Sequence, residues 1–117
     1  MSISNLRARG ACLAGDNDIS LTDVIPTALG AVTPSLAFAR PDLARRLAMP
    51  SADAEVVILV DGLGLLPLQE HLGHARTLRS FRDSIEAAYS VVPSTTAAGI
   101  TACGTGQLPG RTRMVGY

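Results

Sequence analysis

Ser94, Thr95, Thr96, Thr101 and Thr105 put five hydroxyl side chains within twelve residues, among small neighbours and directly after Pro93. A hydroxyl attacks a carbonyl or phosphoryl group once a base takes its proton or a cation favours its alkoxide. No G-x-S-x-G elbow is present, so a serine-hydrolase arrangement lacks its central residue. A hydroxyl that opens a helix has another use. There the backbone N–H groups and the positive end of the helix dipole stabilise an anionic phosphoryl group. Ser and Thr are equally the favoured N-caps, and read that way the turn carries no chemistry.

Asp61 is the second candidate. It follows Glu55-Val56-Val57-Ile58-Leu59-Val60 and precedes Gly62. A carboxylate closing a fully buried strand is costly unless it is paired, hydrogen-bonded or bound to a cation. The plain alternative is an Asp-Gly turn in which the side chain caps its own loop. His71 and His74, at i and i+3, have a spacing that could share a metal, although two histidines on a short exposed helix are more often solvated. Two glycine patterns fail as nucleotide motifs. Gly62-Leu63-Gly64 meets Pro67 where a dinucleotide fingerprint needs its third glycine, and Gly104 to Thr112 lacks the Gly-Lys-Ser/Thr end of a phosphate loop.

These residues need elements to hold them. Ser20 can cap a helix over Leu21 to Leu29, with Asp23 as the acidic partner of a capping box and Gly30 as its stop. Pro41 to Ala48 reads as a short helix with proline in its first turn, broken by Pro50-Ser51-Ala52-Asp53. Val56 to Val60, five aliphatic residues without polar alternation, reads as a strand buried on both faces. Pro67 to Leu72 and Arg76 to Asp83 read as helical pieces, and Glu86 to Val92 as a strand running into Pro93. From Thr96 the small residues suit a close-packed helix ending at Gly104 or Gly106. The order strand, helix, strand, helix predicts an α/β domain with a mostly parallel sheet flanked by helices. In such sheets ligands sit beyond the carboxyl ends of strands, where Asp61 and Thr95-Thr96 would both fall.

The composition permits a packed domain: 117 residues are 47% hydrophobic and 17% charged, outside the range of disordered chains. Ten basic residues balance ten acidic ones, which gives no global field for nucleic acid or anionic membrane and no nucleic-acid-binding patch. The apolar run Val56 to Val60 is too short for a membrane segment. Arg7 and Arg9 lack a following apolar h-region, so no secretory signal is read and a cytoplasmic location is expected. Cys12 and Cys103 are too few and too far apart for a disulfide framework or a metal pair. Residues 1–18 read as a flexible lead-in. Two expected strands do not complete a sheet, so residues 19–117 read as the N-terminal part of a longer catalytic domain.

Together, the Val56-to-Val60 run with Asp61-Gly62, then Pro93-Ser94-Thr95-Thr96, then Thr105-Gly106-Gln107-Leu108-Pro109-Gly110 resemble the alkaline phosphatase superfamily. More closely, they look like its nucleotide pyrophosphatase/phosphodiesterase branch, over roughly residues 55 to 117. The resemblance implies an alkaline phosphatase-like fold and a metal-dependent hydrolase of phosphodiester or nucleotide pyrophosphate bonds in small-molecule substrates. It implies that Asp61 is a metal ligand and that Thr96 is the nucleophile, bound to the same metal; Thr95 is the runner-up. It also implies two divalent ions, usually zinc, whose other ligands lie beyond residue 117, so that this piece alone would be inactive. Two positions depart from the pattern. Arg111-Thr112-Arg113-Met114 replaces a histidine-glycine turn, and Tyr117 stands where better-studied members place an asparagine. A phosphomonoesterase or phosphomutase of the same superfamily, or a non-catalytic α/β piece, are the alternatives.

Overall fold

Ser20 caps the first helical turn among the described residues. The structure, a computed structural model, describes residues 18–116, so the expected lead-in lies almost wholly outside the described residues. The Asp23 carboxylate accepts from the Ser20 N–H at 2.9 Å and Ser20 Oγ accepts from Thr22 N–H at 3.3 Å. This capping box starts a 3₁₀ turn, Leu21–Asp23, that runs on into helix α1, Val24–Val32. Thr27, though buried, is satisfied by donating to the Asp23 carbonyl at 2.6 Å.

Helix α1 does not stop at Gly30. A Cβ there would lie 2.5 Å from the Arg40 carbonyl oxygen, so the glycine lets the chain entering helix α2, Pro41–Arg46, cross against α1. The Arg40 N–H donates to the Pro26 carbonyl at 2.7 Å. Its guanidinium spans two carboxylates, Asp23 at 3.1 Å and Asp42 at 2.9 Å. Pro41 occupies the first turn of α2, where no N–H is needed, and Leu43 and Ala44 are its buried residues.

Further along come α3, Leu65–His71; α4, Arg76–Ser80; a second 3₁₀ turn, Arg82–Ser84; α5, Thr96–Thr105; and α6, Pro109–Thr112. Residues 18–57 and 88–116 belong to one compact unit and residues 58–87 to another. In the first, Val91 packs with Ala98 and Ala102 of α5, and α5 also lies against the Leu21–Asp23 turn and α1. At Gly99, the space is closed by Leu21, whose Cδ2 would be 3.4 Å from a Cβ. In the second unit no residue is buried.

The predicted mostly parallel sheet is overturned. Among the described residues no strand forms, and the β-type pairing found is one isolated parallel bridge, Ser20 to Tyr89. It is made by Leu21 N–H to Tyr89 O and Tyr89 N–H to Ile19 O, both at 2.8 Å. The described residues are helical and irregular, not an alkaline phosphatase-like α/β architecture. The reason is physical. A run of branched aliphatics has the propensity for a strand, but a strand needs a neighbour to share its N–H and C=O groups. Val56 to Val60 has no ladder among the described residues, and Val56 and Ile58 are 83% and 79% exposed rather than buried on both faces. The second expected strand, Glu86 to Val92, contributes Tyr89 to the bridge and Val91 to the core.

Candidate functional site

Pro93 follows a cis peptide bond from Val92, and two residues later Thr95 takes the extended backbone of an N-cap, with φ −80° and ψ 153°. Its hydroxyl is used twice. It accepts from the Ala98 N–H at 3.3 Å and donates to the Val115 carbonyl at 3.4 Å, tying the segment after α6 to the start of α5. Its own carbonyl accepts the Gly99 N–H at 2.8 Å. Thr95 therefore serves as the cap that satisfies one of the helix's orphan donors.

Thr96 is the first residue of α5, and it is exposed. Behind it Ala98, Gly99, Ala102 and Cys103 are buried, which fixes the helix against its unit while Thr96 faces outward. Burial pushes the Cys103 thiol above its ordinary value. The far end closes at Gly106, whose φ of +63° and N–H bond to the Ala102 carbonyl at 2.9 Å make a left-handed helix terminus. The Gly104-Thr105-Gly106 stretch that imitates a phosphate loop is thus the end of a helix.

Asp61 sits in the 58–87 unit, in an exposed turn closed by Leu63 N–H to Val60 O at 3.4 Å, with Gly62 at φ +73°. The left-handed glycine explains the Asp-Gly pair as turn chemistry. Asp61 follows no buried strand, so the burial argument for a cation at its carboxylate does not apply. His71 ends α3 and His74 lies in the turn after it, its N–H donating to the His71 carbonyl at 2.9 Å; both rings are exposed.

Asp61, in the 58–87 unit, and Thr96, in the other, each offer an oxygen of a kind that suits a divalent cation. Among the described residues no group of three or more His, Cys, Asp or Glu could hold a metal ion. Tyr117 lies outside the described residues. One feature of the 58–87 unit was not anticipated: a cavity of about 240 Å³ lined by Leu65, Leu68, Leu72, Ile85, Gln69 and Arg82, among others. The spacing of Leu65, Leu68 and Leu72 was its visible signal, a stripe along one helix face. Among the described residues, no helix is long and apolar enough to cross a membrane. No family model, curated protein or solved structure matches the chain.

Proposed function

We propose that the chain is the N-terminal part of a metal-dependent hydrolase of phosphodiester or nucleotide pyrophosphate bonds, with Thr96 as its nucleophile. The observation that supports this most is the place of Thr96 as the first residue of α5. Thr95 is the N-cap, and Thr96, exposed, lies at the positive end of α5. A phosphoryl group brought there would meet a favourable dipole and an adjacent nucleophile.

The Thr96 hydroxyl would attack phosphorus in line as the leaving oxygen departs. Its proton goes to a base or solvent, and a proton from solvent reaches the leaving group. Water then attacks the phospho-threonine, releasing the phosphate product and restoring the hydroxyl. Two divalent cations, usually zinc in the family resembled, would favour the alkoxide and offset phosphoryl charge, with Asp61 as a ligand and the rest supplied from outside the 117 residues. The described α5 residues would hold the nucleophile in place through the Thr95 cap and the packed Ala98 and Ala102.

The test uses the full-length protein and a chromogenic phosphodiester beside the corresponding monoester. Thr96→Ala should lower diester turnover on the order of a thousandfold or more with the fold intact. Thr95→Ala should mainly lower stability, by about 1 kcal/mol. Asp61→Ala should lower metal content together with rate. Full turnover by Thr96→Ala would overturn the assignment. Preferential monoester turnover would move the enzyme to the phosphomonoesterase or phosphomutase reading. The cap geometry of Thr95 also supports a non-catalytic reading, in which the turn is only a helix start and no substitution at Thr96 changes any activity.

A further inference from the structure

We draw no further inference here: the strongest candidate, the exposed apolar run Val56–Val60, is an unpartnered face, and nothing in the structure shows what covers it.

Discussion

Thr95 and Thr96 are chemically identical and one position apart, yet they hold different places in the helix start. In sequence only their distance from Pro93 distinguishes them; in space one bonds to Ala98 N–H and Val115 O and the other opens the helix. The link to Val115 spans twenty residues, so no local pattern announces it. Asp42 offers a residue-scale prediction about pH. Its side-chain hydrogen bonds from Arg40, followed by the attraction of that charge, hold the carboxyl at about 2, against an ordinary value of 3.8. The folded value lies below the unfolded one. The stabilisation is therefore complete above roughly pH 4 to 5 and fades as pH falls toward 2. Urea unfolding across that range should show a shallower acid loss for Asp42→Asn than for the parent. Because the pair is exposed, added salt should shrink the difference.

At the scale of elements, the local signals were legible. The Ser20 and Asp23 box, the proline at the start of α2 and the threonine-led start of α5 all depend on neighbours a few residues away. Gly30 is no stop, because its reason is tertiary: the Arg40 carbonyl passes where a side chain would be. The end of α2 was not foreseen either. Ala48 takes φ +52°, with its N–H on the Arg45 carbonyl at 3.0 Å and the Met49 N–H on the Ala44 carbonyl at 2.9 Å. That is the Schellman pattern with alanine where glycine is favoured. Ala48→Gly should therefore stabilise the protein by about 0.5–1 kcal/mol, since relief of the left-handed strain exceeds the added unfolded-state entropy. Denaturant midpoints of the two proteins would measure it, and a lower midpoint for the glycine variant would contradict the argument.

For the molecule as a whole, the sheet was the least legible feature. Apolar runs report that a segment could be buried in a sheet, but pairing depends on a second segment that hydropathy does not name. The same blindness hid the division of the chain, because residues 58–87 read as the end of one strand, two helical pieces and the start of a second strand. That unit has no buried residue, whereas Leu43, Ala44, Val91, Ala98 and Ala102 are all buried in the other. Replacing residues 58–87 by a Gly/Ser linker of equal length should leave the other unit's unfolding free energy within about 1 kcal/mol. Loop closure is unchanged at equal length, and even doubling a loop costs only about 0.6 kcal/mol. Helical circular dichroism followed through urea unfolding is the measurement. Loss of cooperative unfolding would show that the 58–87 segment is needed for the other unit to fold.

The buried thiol of Cys103 gives α5 its own clock. A thiol reagent reaches it only when the helix opens, so in a Cys12→Ser background the rate of alkylation counts openings of the element that carries Thr96. Gly106→Ala should speed that reaction. Its Cβ would meet the Phe38 ring at 2.7 Å in a backbone at φ +63°, loosening the helix end. Equal alkylation rates would mean that Cys103 is reached without α5 opening.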